Sequence, residues 1–184
     1  QKKIVFAFGR MNPPTTGHEA LVNTVKHTAA QHGADHEIVL SHTHDSKKNP
    51  LAPEDKLRHA RAMFPDTNIS VASTEQPTLI QHLTRLHKAG YREAIIVGGS
   101  DRIPEYKRLI SKYNGQPDLF NFDKVSYVSA GERDPDSGGV SGMSASKMRE
   151  YAKSGNFEQF KQGVPKTGNA EQLYKDVRRG LKLE

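Results

Sequence analysis

Phe8-Gly9-Arg10-Met11-Asn12-Pro13-Pro14-Thr15-Thr16-Gly17-His18 is the stretch whose reading decides the fold. An apolar run, Ile4-Val5-Phe6-Ala7-Phe8, leads into it with the continuous hydrophobicity of a buried strand. Glu19-Ala20-Leu21-Val22-Asn23-Thr24-Val25 leads out of it, with Leu21, Val22 and Val25 at helical spacing. A strand therefore ends, a loop bounded by glycines turns over on two prolines, and a helix begins at or near His18. That geometry gathers the N–H groups of a helix start beside a strand's carboxyl end, where open α/β sheets bind phosphate-bearing ligands. Gly9 and Gly17 let the backbone approach a ligand closely or take a positive φ. Pro13 and Pro14 fix the path. Thr15 and Thr16 supply hydroxyls, and His18 supplies an imidazole in the first helical turn. A threonine cap with His18 on the surface is the plain structural alternative.

Outward from this loop the alternation continues. The helix runs to about residue 32 and Gly33 ends it. A short strand at 37–41 gives way to a polar loop, 41–51, carrying Lys47 and Lys48 on a flexible excursion. Such a loop can fold over a triphosphate, or it is a solvated basic turn. Pro53, Glu54 and Asp55 open the next helix, with Leu57, Ala60, Arg61 and Phe64 following and Pro65-Asp66 closing it. A strand at 68–72 and a helix at 78–88 come next. The clearest buried strand, 93–97, then runs into Gly98-Gly99-Ser100-Asp101, repeating the logic of the first loop. Gly98 and Gly99 permit a flat ring or a phosphate to pack on backbone, and Asp101 can accept from a hydroxyl. Ser100 or Asp101 can equally cap the helix predicted at 104–113. Residues 124–128 alternate like a strand in an edge or half-buried position.

Residues 129–142 form a glycine-rich polar loop of a length that points to a lid or binding loop. It resolves into Met143-Ser144-Ala145-Ser146-Lys147-Met148-Arg149, where Ser144 reads as an N-cap. Ser146 and Arg149 then stand one turn apart and can face one anion together. A final helix is predicted at 169–181.

With 184 residues the chain is long enough for a substantial core. One domain over 1–165 is expected, with 166–184 a helical extension packed on it. No apolar stretch is long enough to span a bilayer and no signal-peptide pattern stands at the start. The absence of cysteine excludes disulfides and thiolate metal sites, and makes a cytoplasmic setting the expectation. His42 and His44 could chelate zinc from one strand, but no third ligand stands at characteristic spacing. No metal-ligating residues are assigned. The formal charge of +6 suits nucleic acid or a polyanionic nucleotide. The cations are scattered, apart from a modest cluster at Lys175, Arg178, Arg179 and Lys182, and tryptophan is absent. Both features disfavour a nucleic-acid binder.

Taken together the motifs resemble the nucleotidyltransferase family with the HxGH signature, which includes the cytidylyltransferases and the nicotinamide-nucleotide and phosphopantetheine adenylyltransferases. Gly9-x-Met11-x-Pro13-x-Thr15-x-Gly17-His18 resembles G-x-F-x-P-x-H-x-G-H, with threonine at the first histidine position as in the phosphopantetheine branch. Met143 to Arg149 resembles the second signature, I-S-S-T-x-x-R. Lys47-Lys48-Asn49-Pro50-Leu51 is similar to the family's lysine-and-proline loop, and Gly98-Gly99-Ser100-Asp101 to its G-x-D turn near the base. The look of the second signature suggests a phage-encoded branch, acting in the host cytoplasm.

The resemblance implies a Rossmann-like, doubly wound α/β fold with a parallel sheet of about five strands. It implies transfer of a nucleoside monophosphate from ATP or CTP to a phosphate-bearing acceptor, with release of pyrophosphate. His18 would donate to the α-phosphate, Thr15 would hold a phosphate, and Arg149 and Ser146 would bind the β- and γ-phosphates under a lysine from Lys47-Lys48. Gly9, Arg10, Met11, Gly17, Gly98, Gly99, Asp101 and Ser144 would line the nucleotide site. Mg2+ would accompany the triphosphate. The acceptor stays open among nicotinamide mononucleotide, phosphopantetheine, flavin mononucleotide and a sugar or alcohol phosphate. A homo-oligomer is compatible with all this. The competing reading is a catalytically silent nucleotide-binding or structural module of a larger assembly.

Overall fold

The computed structural model describes residues 2–42, 44–47, 49–72, 78–116, 118–130 and 144–182. Five strands, β1 (Lys3–Gly9), β2 (Asp35–Leu40), β3 (Ile69–Val71), β4 (Glu93–Gly98) and β5 (Lys124–Ser129), form one sheet in the order β3-β2-β1-β4-β5. Every pairing in it is parallel. Parallel neighbours require crossovers, and α1 (Glu19–His32), α2 (Pro53–Met63), α3 (Leu79–Lys88) and α4 (Ile103–Tyr113) supply them. Three helices follow the sheet: α5 (Ala145–Ser154), α6 (Phe157–Gln162) and α7 (Ala170–Gly180). The expected α/β doubly wound architecture is present, and β5 lies on an edge and is half-buried, the two positions its alternation left open.

Strand alternation divides the core into two. Val5 and Ala7 of β1, Ile38 and Leu40 of β2, and Ile95 and Val97 of β4 point to one face. There they meet Val22, Val25 and Ala29 of α1, Ala60 and Met63 of α2, Met148 and Ala152 of α5, Phe160 of α6, and Leu173 and Val177 of α7. Ile4 and Phe6, Val39, Ala94 and Ile96 point to the other, against Leu79, Leu83 and Leu86 of α3 and Ile110 of α4. The central strands are buried on both faces, as a parallel sheet requires. No helix among the described residues is long and apolar enough to cross a membrane.

The structure departs from the sequence reading in three helices. The buried side chains of α2 are Lys56, His59, Ala60 and Met63; of the residues singled out in the sequence, Ala60 and Phe64 are buried, Leu57 is half-buried and Arg61 exposed. Two polar side chains face inward because each meets a partner there: Ser41 for Lys56 and Asp176 for His59. Helix α6 was not predicted. It is only six residues long, between Gly155 and Gly163, too short for periodicity to show. The N-cap of α4 is Arg102, without a side-chain cap, in place of Ser100 or Asp101; the chain turns on Gly99, whose carbonyl accepts from Arg102 and Ile103.

Helix α7 is tied down by charge as well as by Leu173 and Val177. Asp176 is buried, and its carboxylate accepts from His59 at 2.8 Å, Arg58 at 3.2 Å, Gln172 at 2.9 Å and Arg179 at 2.8 Å. Arg178 donates to the carbonyl of Ala152. Of the C-terminal basic cluster, Arg178 and Arg179 are therefore engaged within the fold. At its end, Gly180 lies so close to Pro50 that a Cβ there would stand 1.7 Å from the Pro50 carbonyl oxygen.

Candidate active site at the carboxyl edge of the sheet

Going from β1 the chain winds first towards β2 and β3, then crosses back to β4 and β5. The order therefore reverses between β1 and β4, which opens a crevice beyond their carboxyl ends. Gly9 and Gly98 are the last residues of these two strands. A Cβ at Gly9 would meet nothing within 4 Å, so no packing demand explains the glycine. Gly98 is different. A Cβ there would come 2.9 Å from the ring of Tyr106, whose hydroxyl reaches across to donate to the Phe8 carbonyl at 3.3 Å. The flat ring lying on Gly98 belongs to the protein itself.

The loop after β1 is built around two anchors. Met11 is buried in the core beneath it with φ 43, so the positive φ of this loop falls on Met11 and not on Gly9 or Gly17. Asn12 is fully buried, and its side chain pairs with the backbone of Leu51: the amide nitrogen donates to the carbonyl at 3.2 Å, and the amide oxygen accepts from the N–H at 2.8 Å. The bond between Asn12 and Pro13 is cis. A single 3-10 turn, Thr16–His18, then leads into α1. Thr15 caps it, accepting from the Gly17 N–H at 3.0 Å. In return the Thr15 N–H donates to His18 Nδ1 at 3.0 Å, and the Thr15 hydroxyl lies 3.3 Å from that nitrogen. This capping box fixes the ring and its tautomer. With Nδ1 accepting, the proton of a neutral imidazole sits on Nε2. Thr15 has no exposed surface, and both its N–H and its hydroxyl are turned to His18.

Helix α5 closes the site from the other end of the chain. Ser144 is its N-cap, accepting from the Lys147 N–H at 3.2 Å. Arg149 donates to Ser146 Oγ at 3.2 Å and to the Asn12 carbonyl at 2.8 Å. The two signatures, 137 residues apart, thus meet in one hydrogen bond. Of the remaining sequence-selected residues, Arg10 is exposed at the end of β1, while Gly99 and Asp101 stand beyond β4. Lys47 lies on a loop whose neck is pinned: Asp45 donates its N–H to the Asn49 carbonyl at 2.8 Å, and its carboxylate accepts from Lys47 N, Asn49 N and Asn49 Nδ2. The flexible excursion expected there is in this part a tied turn. Lys48 and residues 131–143, including most of the proposed lid, lie outside the described residues.

Two residues escaped the sequence reading. Asn12 carried no signal beyond its place in the loop. Lys56 did: it stands four and seven residues before Ala60 and Met63 on the buried stripe of α2. Its ammonium donates to Ser41 Oγ at 3.2 Å, and burial, with Arg10 adding to it, pulls its pKa down to about 8. Burial and then Arg10 also lower the pKa of Arg149, with Asp45 opposing. Arg10 thus acts on both Lys56 and Arg149, and three cations share one crevice. An open pocket lined by Asp35, His36, Arg85 and Tyr91 lies at the amino ends of β1 and β2, the opposite edge of the sheet. It is away from this chemistry.

Among solved structures, a Vibrio parahaemolyticus protein described as a nicotinate-nucleotide adenylyltransferase matches with TM-score 0.58 and 15% identity, over 94% of this chain and 99% of its own. Nicotinic acid mononucleotide adenylyltransferase of Plasmodium falciparum, complexed with NaAD, matches with TM-score 0.59 and 14% identity, over 97% and 96%. This chain shares its fold with these two proteins. TmcAL of Thermotoga maritima, bound with alpha-thio ATP, matches with TM-score 0.60 and 10% identity; 98% of this chain covers 56% of that longer one. No family model and no curated protein matches the sequence. The suggested phage-encoded branch finds no support in these similarities.

Proposed function

We propose that this protein is a nucleotidyltransferase that moves a nucleoside monophosphate, adenylyl in the first instance, from a nucleoside triphosphate to a phosphate-bearing acceptor. The observation that carries this reading is the Arg149–Asn12 bond, which sets the second cationic signature on the loop that holds His18. An acceptor phosphate oxygen attacks the α-phosphorus in line. The new O–P bond forms as the bond to the bridging oxygen breaks, and pyrophosphate leaves. The protein's part in such a displacement is positioning and charge stabilisation. His18, held through Nδ1 by Thr15, directs Nε2–H to a non-bridging α-oxygen. Arg149 and Ser146, already hydrogen-bonded to each other, take the β- and γ-phosphates. Gly9, with open space on its Cβ side, lets the chain of phosphates lie against backbone. Lys47, on the turn that Asp45 ties down, and its sequence neighbour Lys48 would add positive charge beside them.

The donor set suits a metal that arrives on the nucleotide. The crevice offers cations and hydroxyls, and no group of three carboxylates or imidazoles among the described residues could hold an ion by itself. Mg2+ bound to triphosphate oxygens and water would neutralise charge on the leaving pyrophosphate.

Incubation with ATP or CTP, magnesium and a panel of phosphorylated acceptors tests the reading, with pyrophosphate release as the measure. The result expected is release with ATP that depends on one acceptor and on His18. Nucleotide binding without turnover on any acceptor would replace the reading with that of a silent nucleotide-binding module.

A further inference from the structure

Lys56 has no exposed surface, yet its ammonium makes one hydrogen bond, to Ser41 Oγ at 3.2 Å. An ammonium carries three donors, so two remain. Among the described residues the charge that bears on it is that of Arg10, which is of the same sign. A buried cation without a counter-charge is costly. The neighbouring buried polar group of α2, His59, has the Asp176 carboxylate at 2.8 Å; Lys56 has no carboxylate partner among the described residues. Its position suggests what is missing. The Ser41 N–H donates to the Gly9 carbonyl at 2.8 Å, so the Lys56–Ser41 pair lies at the carboxyl ends of β1 and β2, beside the glycine whose Cβ side is open.

We propose that the Lys56 ammonium and the Ser41 hydroxyl form an anion subsite that takes a phosphate oxygen at the base of the β1–α1 loop. The proposal deepens the transferase reading and rests on it only for the source of the phosphate, nucleoside triphosphate or acceptor. A bound phosphate supplies the counter-charge that the fold withholds, and Lys56 is then a binding residue and not a core lysine. Because burial leaves its pKa at about 8 in the free protein, the subsite discharges as pH rises above that value. Among the described residues, the other charged or titratable groups around the crevice are Arg10 after β1, Arg149 on α5, Asp45 and Lys47 in the loop after β2, and His18 at the head of α1.

The test is calorimetric titration with inorganic phosphate and with magnesium-ATP on the wild type, Lys56→Met and Ser41→Ala, between pH 7.5 and 9.5. Thermal melting is recorded for each. Loss of one charge-assisted hydrogen bond corresponds to about tenfold or more in affinity. Lys56→Met should melt at the same or a higher temperature, since a buried charge is gone, yet bind at least tenfold more weakly at pH 7.5. Ser41→Ala should lose severalfold. Wild-type affinity should fall between pH 7.5 and 9.5 where that of Lys56→Met does not, which removes the titration of the other groups from the comparison. Loss with both ligands, with ATP alone or with phosphate alone all support the subsite and assign it respectively to any phosphate, to the triphosphate or to the acceptor. If the wild type binds phosphate through Lys56 but not ATP, the transferase reading fails and the subsite stands. Unchanged affinity and pH profile in a folded Lys56→Met, or a wild type that binds neither ligand, overturns the proposal.

Discussion

Gly180→Ala sets two physical terms against each other at one atom. Gly180 is the last residue of α7, and helix propensity alone favours alanine there by about 0.8–1 kcal/mol. The packing says otherwise. The added Cβ would stand 1.7 Å from the Pro50 carbonyl oxygen, 2.5 Å from its carbon and 2.9 Å from its Cα. All three are backbone atoms that no rotamer change can move. Relief requires the end of α7 or the Asn49-Pro50-Leu51 backbone to shift by more than an ångström. Overpacking of this kind costs typically ~1–3 kcal/mol, and a clash this deep falls at the upper end. The net loss should therefore be about 2 kcal/mol, or roughly 4–8 °C in melting temperature for a chain of this size. Because Leu51 pairs with Asn12, and Asn12 accepts from Arg149, nucleotide affinity should fall with it. Urea unfolding and calorimetry measure the first effect and titration with ATP the second. A Gly180→Ala protein more stable than the wild type would refute the packing of α7 against this loop, since propensity would then be the only term left.

Gly9→Ala should leave stability within about 0.5 kcal/mol, the range of substitutions that disturb no packing, while ATP binding is lost; an alanine variant that binds normally would show that nothing approaches Gly9. His18→Ala should lower turnover by about 100-fold or more without a matching loss of ATP affinity, the pattern of a donor that acts in the transition state; equal losses in both would make it a ground-state ligand. For Asp176, burial pushes the carboxyl pKa up, but hydrogen bonds from His59, Gln172 and Arg58 outweigh it and leave the pKa below the ordinary 3.8. A depressed folded pKa contributes stability that is fully present above the unfolded value and is lost as pH falls through the folded one. Asp176→Asn should therefore destabilise near neutrality by roughly 2 kcal/mol, less than the ~3–5 of an isolated buried pair because Arg58 can return to water. The difference from wild type should shrink below pH 3.8, as urea midpoints across pH would record.

The strands and most helices were legible because their signals are local. Buried parallel strands read as continuous apolar runs, and glycine, proline and serine punctuate the helix ends at Gly33, Pro53 and Ser144. What the sequence concealed depends on partners distant along the chain. Lys56 and His59 sit on a core face only because Ser41 and Asp176 wait there, and a polar residue on an inward stripe argues against that stripe until its partner is known. Gly98 looked like ligand space and proved to be the seat of Tyr106. The functional loop shows the same division. His18 and Arg149 stood out by residue type and spacing, whereas Asn12, on which the loop's attachment depends, is an ordinary loop asparagine in sequence and a double hydrogen-bonding staple in space.

That staple has a consequence for how the chain can vary. It reads residue 51 by backbone alone, so the identity of that side chain is irrelevant to it while the residue's position is not. A primary amide offers one donor and one acceptor side by side, and neither aspartate nor leucine can imitate it. Insertions are therefore tolerable inside the turn that the Asp45–Asn49 clasp closes off, and intolerable at Pro50, the one residue between that clasp and Leu51. Natural length changes in this part of the molecule should cluster on the outer side of the clasp, leaving the distance from residue 49 to residue 51 untouched.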